Sequence, residues 1–319
     1  MVTLGLLCCV IILMARTFPL PNIVALILAI GAPFVPVAAL LGAATAVVYR
    51  RTLLAVIAVL VLIVSLAVQV PWYYFGHPTT VGEHTEVRVL SANLRKGQAN
   101  PATIVRLAEN SADVITVSEL TLDEIQRFSR AGLNETFPYS ILKPAPGAGG
   151  IGIWSRYPLV GVPRDEVDDT AIATAKLQIP GVRFDPVVTS VHLISPLASD
   201  NDTFAQWRAG ISATNKHLDQ LAKVAGPGAV IVGGDFNSTP DMRQFRDLLT
   251  NGYRDAVEQT GSGLSPTYPV HDWIPPLITI DHILTRNAAA SSIKTVTIPG
   301  SDHRALLSTI KVPLDPTAS

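Results

Sequence analysis

No aspartate, glutamate or lysine occurs in the first seventy residues, where Arg16, Arg50 and Arg51 are the only charged side chains. Over the whole chain 15% of residues are charged, against about a quarter in an average soluble protein. A uniformly soluble protein is therefore excluded. Cysteine is also scarce: Cys8 and Cys9 are the only two in 319 residues, both inside an apolar run, so a disulfide scaffold is excluded. The chain from Pro71 onward carries all 25 acids and 21 of the 24 bases, a net charge of −4. With 48% apolar residues it can bury a core, which excludes disorder.

Long uncharged runs fill the N-terminal region. Thr52–Val70 is uncharged and lacks proline and glycine, and about 20 such residues span a hydrocarbon core of about 30 Å as a helix. Thr17–Tyr49 is longer, with Pro19 and Pro21 at its entry and Pro33 and Pro36 predicting a kink or break. Met1–Ala15 reaches only about 22 Å as a helix, which leaves a short span or an interfacial segment open. Two or three transmembrane helices are expected, at about 2–15, 20–48 and 52–70. Arg50 and Arg51 lie between the second and third runs and favour a cytoplasmic loop there. The third span then leads outward, giving a multi-pass plasma-membrane protein with its second domain outside the cytoplasm. Arg16 counts against this orientation, and Trp72–Phe75 reads as an interfacial aromatic belt.

Residues 1–71 are thus read as a transmembrane region, 72–86 as a linker and 87–319 as one domain. In that domain strands are predicted at Val87–Ala92, Asp113–Ser118, Tyr139–Leu142, Gly150–Ser155, Ile172–Ile179, Val187–Leu193, Ala229–Val232, Ile278–Thr285 and Leu306–Val312. Helices are predicted after Asn100–Pro101, after the Thr121–Glu124 capping box, over Asp202–Val224, and from Thr239–Pro240 to about Leu249. Strands outnumber helices, so the fold class is α+β or layered α/β, not a doubly wound sheet.

Polar residues recur at the ends of the apolar strands: Asn93, Glu119, His192, Asp235 and Asn237, with Asp281 inside ITIDHIL and Asp302–His303 before the last strand. Such a set suits phosphate-ester hydrolysis. Carboxylates such as Glu119 and Asp302 offer hard oxygens for Mg²⁺, with Mn²⁺ as a substitute. The amides of Asn93 and Asn237 can hold phosphate oxygens, and a histidine can move a proton near neutral pH. No HExxH motif or Cys/His cluster supports zinc.

The ordered patches SAN (91–93), SEL (118–120), SRYPL (155–159), SVHL (190–193), GGDFN (233–237), IDHIL (280–284) and SDHRAL (301–306) resemble the endonuclease/exonuclease/phosphatase superfamily. The resemblance runs from Val87 to Val312 and implies a four-layer α-β-β-α sandwich with its site at one edge of two sheets. It implies Glu119 as principal metal ligand, with Asn93 and Asp302 close by, and His192 acting on the leaving oxygen or binding phosphate. Asp235 and Asn237 would position water and phosphate, His303 would be the general base oriented by Asp281, and Arg156 would contact phosphate. Whether His303 or Asp235 takes the proton stays open. Arg95 stands where apurinic endonucleases place an acid, and SVHL replaces their tyrosine motif, so abasic-site repair is disfavoured. His282 should face away from Asp281, and His217 and His271 are left outside the site.

The net charge of −4 disfavours nucleic acid as a partner. A tether to the membrane favours membrane lipids and a lipid-linked or cell-envelope phosphate. The layout also resembles actinobacterial membrane proteins associated with teicoplanin or vancomycin resistance, which implies a lipid-linked phosphate or pyrophosphate as substrate. An extracytoplasmic nuclease and a non-catalytic binding protein of the same fold are the alternatives.

Overall fold

Proline placement decides the shape of the N-terminal region. The computed structural model describes residues 2–162, 171–198, 202–271 and 273–318. Helix α1 (Val2–Thr17) is followed by α2 (Ile23–Ile30), opened by the side chain of Asn22, which accepts the Ala25 N–H. A 3₁₀ turn at Ala32–Phe34 then leads into α3 (Val35–Val48), so the kink expected from Pro33 and Pro36 is present. Pro36 has no N–H to give the carbonyl of Ala32, one turn earlier. That carbonyl accepts the Val35 N–H within the 3₁₀ turn, and the Gln69 amide of α4 (Thr52–Val70) donates to it as well, at 2.5 Å. A polar side chain in an apolar helix thereby adds a second bond to a carbonyl that proline keeps from its α-helical partner.

The four helices pack as an up-down-up bundle in which α2 and α3 form one kinked arm. Cys9 meets Val35, Ala39 and Val61, while Leu6 meets Ala43 and Ala58. Small residues at these seams let the helices approach closely. Ile23–Val48 and Thr52–Phe75 are long and apolar enough to cross a membrane, whereas α1 is shorter. Most of their apolar side chains face outward, among them Leu4, Leu40, Val48, Leu53 and Leu60.

The helical path continues past Val70 as a wider turn, Pro71–Phe75, and this corrects the reading of the aromatic run. Tyr73 is buried in the domain core and Trp72 packs beside it, so only Tyr74 and Phe75 are exposed. The irregular segment is confined to residues 76–83 because the first strand starts at His84. It is held down: the His77 N–H donates to Gln259 O at 3.0 Å.

The second domain follows in the order β1 (His84–Asn93), α5 (Pro101–Ser111), β2 (Val114–Ser118), α6 (Leu122–Arg130), α7 (Leu133–Thr136), β3 (Tyr139–Lys143) and β4 (Ile151–Ser155). Then come β5 (Leu159–Gly161), β6 (Ala171–Leu177), β7 (Val187–His192), α8 (Thr203–Ala225), β8 (Val230–Asp235), α9 (Arg243–Asp247), β9 (Arg254–Asp255) and α10 (Ala256–Thr260). Strands β10 (Asp281–Arg286), β11 (Ala289–Thr297) and β12 (Arg304–Pro313) close the chain. The helix expected up to Leu249 shortens to α9, because residues 237–242 are held in turns.

Two six-stranded sheets form, ordered β11-β12-β1-β2-β4-β3 and β5-β6-β7-β8-β10-β9. Their facing surfaces bury Val87, Val89, Val114, Ile153, Val188, Ile231 and Ile283. Helices α5, α6 and α7 cover the outer face of the first sheet through Ile104, Phe128 and Leu133. Helices α8 and α9 cover the second through Trp207, Leu218 and Phe245. The result is the four-layer sandwich that the sequence implies. The second outer layer also includes Leu20, Leu26 and Ala29 of the bundle, so the bundle and the domain share a core.

The pairing brings the functional residues to one edge. Each sheet is antiparallel except for one central parallel pair, β1/β2 in the first and β7/β8 in the second. Parallel neighbours end on the same side, which puts Asn93 opposite Ser118 and His192 opposite Asp235. Antiparallel neighbours of those pairs begin where the pairs end, so Asp281 lies across from Asp235 and β12 starts just after His303.

Candidate active site

At this edge the sheets approach closely. The Ser190 hydroxyl of β7 donates to Val117 O of β2 at 3.0 Å. A side chain at Gly233 would collide with Thr116 on the facing sheet, and one at Gly234 with the Val191 carbonyl. The paired glycines of GGDFN are thus required by space. The Asn93 amide crosses the gap and donates to Asp235 Oδ2 at 2.9 Å, and more weakly to Glu119 Oε1 at 3.4 Å. Its own oxygen accepts the Arg95 N–H at 2.8 Å.

Glu119 and Asn237 both have positive φ, 59° and 46°. Such a turn redirects the chain at the strand end; for a residue other than glycine it costs of order 1–3 kcal/mol and clusters at functional sites. Asn237 gives its backbone N–H to Asp235 Oδ1 and a side-chain N–H to Leu193 O, both at 2.8 Å. One amide N–H and the amide oxygen remain for the cavity. His192 donates from Nδ1 to Ala148 O at 2.9 Å, since a carbonyl can only accept. Its Nε2 therefore faces Glu119 and Asp235, each 3.8 Å away.

His303 is held from both ends. Its Nδ1–H donates to Asp281 Oδ2 at 2.8 Å, and its Nε2 lies 3.8 Å from Asp235 Oδ2. The Ser301 hydroxyl donates to Asn93 O and accepts the His303 N–H, tying the last loop to β1. Burial disfavours a charged His303, but Asp281 and Asp235 outweigh it and raise its pKa to about 10. Burial and the neighbouring Asp281 raise Asp235 to about 6, with His303 and His192 opposing. The two shifts favour an imidazolium beside a carboxylate.

Glu119, His192, Asp235, Asn237, Asp302 and His303 line one cavity of about 580 Å³. Asn93 and Asp281 are buried directly behind it. Arg156 is not part of it, which corrects the expectation of a phosphate contact. Strand β4 runs antiparallel to β2, so its carboxyl end faces the amino end of β2, away from Glu119. There Arg156 donates to Ala112 O and Glu109 O and stacks over Phe137. His282 faces away from Asp281, donating to Asp255 or to Ser238 O according to tautomer.

Four further residues among those lining the cavity matter here. Tyr268 stacks on His303 with ring centres 4.9 Å apart. Arg95 approaches Asp302 at 3.7 Å, with Lys96 beside it. Ile30 lines the cavity from α2, 54 residues before the first strand begins at His84, and no sequence signal connected it to the site.

The donor set fits a divalent cation. Glu119 and Asp302 reach the cavity with oxygen atoms, and hard oxygens suit Mg²⁺ or Mn²⁺. As placed, Asn93 presents its nitrogen to Glu119, so it orients the carboxylates instead of adding an oxygen there. Asp235, Asp281 and His303 also cluster with ligand atoms within 4.8 Å. Their 2.8 Å Asp281–His303 hydrogen bond already uses the Nδ1 atom, which favours a proton relay over ligation.

Comparison with known proteins agrees with this geometry. Residues 90–303 match the Endonuclease/Exonuclease/phosphatase family. No protein of curated function matches the chain. Among solved structures, truncated TDP2 of Caenorhabditis elegans is similar with a TM-score of 0.55 at 14% identity, over 71% of this chain and 98% of that one. A family protein from Bacteroides thetaiotaomicron gives 0.56 at 15% identity, over 72% and 99%. TDP2 of D. rerio complexed with a single-strand DNA product gives 0.54 at 16%, over 71% and 99%. At these identities the likeness concerns the fold, whereas the family match covers most of the chain. The chain belongs to the endonuclease/exonuclease/phosphatase family and is a metal-dependent phosphoester hydrolase.

Proposed function

We propose that the protein is a multi-pass membrane hydrolase whose site faces the extracytoplasmic surface and cleaves a lipid-linked or cell-envelope phosphate. The observation that carries this reading is the shared core of bundle and domain: Leu26 and Ala29 pack with Trp207 and Phe236, and Ile30 lines the catalytic cavity. A domain fixed this way holds its cavity at the bilayer surface. The outward apolar faces of the bundle support insertion, since a soluble core helix would be mostly buried and these windows are only 22–28% buried.

Orientation is supported by the charges. Arg50 and Arg51 lie at the end of the bundle away from the domain. Arg16 lies at the domain end, but there its Nε pairs with the buried Asp241 at 2.7 Å. A neutralised arginine no longer opposes the positive-inside rule.

A cation held by Glu119 and Asp302 would neutralise phosphoryl and leaving-group oxygens. Asp235, kept in place by Asn93 and the Asn237 N–H, orients and deprotonates the attacking water. His192, its Nε2 aimed inward, binds phosphate or protonates the leaving oxygen as the imidazolium, which carries a proton on Nε2 as well as on Nδ1. His303, fixed by Asp281, offers its Nε2–H to the phosphate. The net charge of −4 outside the bundle supports a lipid phosphate over duplex nucleic acid.

The full chain in detergent micelles can be offered undecaprenyl diphosphate, sphingomyelin, a phosphoinositide and DNA, each with Mg²⁺ or with EDTA. Mg²⁺-dependent release of phosphate or headgroup from a lipid is expected. Cleavage of DNA alone would replace this reading with a surface nuclease, and no turnover would favour a binding protein.

A further inference from the structure

The cavity has two unlike walls. One carries the polar residues described above, with Arg95 and Lys96 at its rim. The other is apolar: Ile30 of α2, Ile194 and Leu197 of the loop after β7, and the buried Met242. Ile194 and Leu197 are 39% and 57% exposed, although nothing in phosphate chemistry calls for apolar side chains there. Ile30 also belongs to an apolar stripe along the kinked arm: Ile27 of α2, Phe34 of the 3₁₀ turn, and Val37 and Leu41 of α3 are all exposed. The stripe runs without a charged residue from the outer surface of the bundle to the catalytic cavity.

We propose that Ile30, Ile194 and Leu197 form a channel for the hydrocarbon chain of an amphiphilic phosphate, which enters sideways from the bilayer along α2. The proposal rests on the phosphoester site above and adds its chain-binding half. The occupant is a lipid chain because the stripe is continuous with the surface that faces lipid and ends beside the carboxylates that address phosphate. The membrane helix is then part of the specificity pocket as well as an anchor.

Binding of butyl and octyl phosphate to the full chain in micelles, with Mg²⁺ present, tests this directly. Each methylene removed from water contributes about threefold to fourfold in affinity, so octyl phosphate is expected to bind at least about tenfold tighter. In Leu197→Asn, in Ile194→Asn and in Ile30→Asn, octyl affinity should fall toward the butyl value while butyl affinity stays unchanged. The two loop positions are exposed, so these variants fold even if Ile30→Asn does not, and butyl binding reports an intact phosphate site. An octyl preference that persists in the loop variants would reflect partition into micelles and would overturn the channel, as would no preference in the parent protein. Failure of butyl phosphate to bind the parent protein would instead remove the phosphoester site, and the channel with it.

Discussion

Asp281 and Asp235 together outweigh the cost of burying a charged His303 and raise its pKa. Truncation to His303→Ala leaves two buried carboxylates facing each other without their cation, and Asp235→Ala removes the acceptor held by Asn93. Each is expected to lower turnover by about a hundredfold to ten-thousandfold. The domain should stay folded by circular dichroism, and near-normal turnover would remove that residue from the reaction. Glu119→Gln keeps the shape but gives up a charged ligand, so half-maximal activity should need more Mg²⁺, and an unchanged titration would count against ligation. Glu124 answers to a different force. Its fully covered carboxylate is raised to about 7, first by burial and against the pull of Arg127. A raised folded value means that its stabilising contribution is complete below about 4.5, its ordinary value, and is lost as pH rises through about 7. Unfolding measured at about pH 5 and about pH 8 should differ by on the order of 1–3 kcal/mol more in the parent than in Glu124→Gln. An equal pH slope in both would place the charge elsewhere. The effect reaches the site indirectly, because Arg127 Nη1 also donates to Gly97 O and steadies the loop that carries Arg95 and Lys96.

Between elements, the seam of bundle and domain adds one ion pair and a few carbonyls to its shared apolar core. Arg16 pairs with Asp241, Arg246 donates to Arg16 O, and Gln244 donates to Leu20 O at 3.2 Å. Asp241 is 1% exposed, so Arg16→Met strands a buried carboxylate, at a cost of about 3–5 kcal/mol. Adding Asp241→Asn should restore part of that stability in denaturant unfolding of the detergent-solubilised chain. Equal losses in the single and double variants would mean that the pair does not join the units. The capping box at Thr121 teaches a related lesson. Its hydroxyl caps Glu124 N as the pattern requires, yet the Glu124 carboxylate turns to Arg127. A half-buried arginine on the helix competes successfully with the backbone.

For the whole molecule, the orientation is open to a direct measurement. A cysteine introduced by Thr317→Cys near the carboxyl terminus should react with a membrane-impermeant maleimide on intact cells. Reaction only after lysis would invert the topology. The two native thiols lie in α1, on the bundle.

Much of this architecture was legible in the chain alone. The missing acids and lysines marked the bundle, Pro33 and Pro36 marked its kink, and apolar runs ending in Asn93, Glu119, His192 and Asp235 marked both the strands and the site. These features are local, because burial, proline chemistry and strand ends write themselves into adjacent residues. Strand direction within a sheet does not. Arg156 follows a strand as Glu119 does, yet antiparallel pairing sends it to the far edge. Nor does a sequence reveal partners brought in from a distance: Gln69 capping Ala32, Asp241 holding Arg16, Tyr268 stacked on His303, and Ile30 in the cavity are all long-range contacts. Composition set what could be buried and what could react. Only the tertiary fold decided which groups meet, because that depends on how the sheets pair and where the bundle docks.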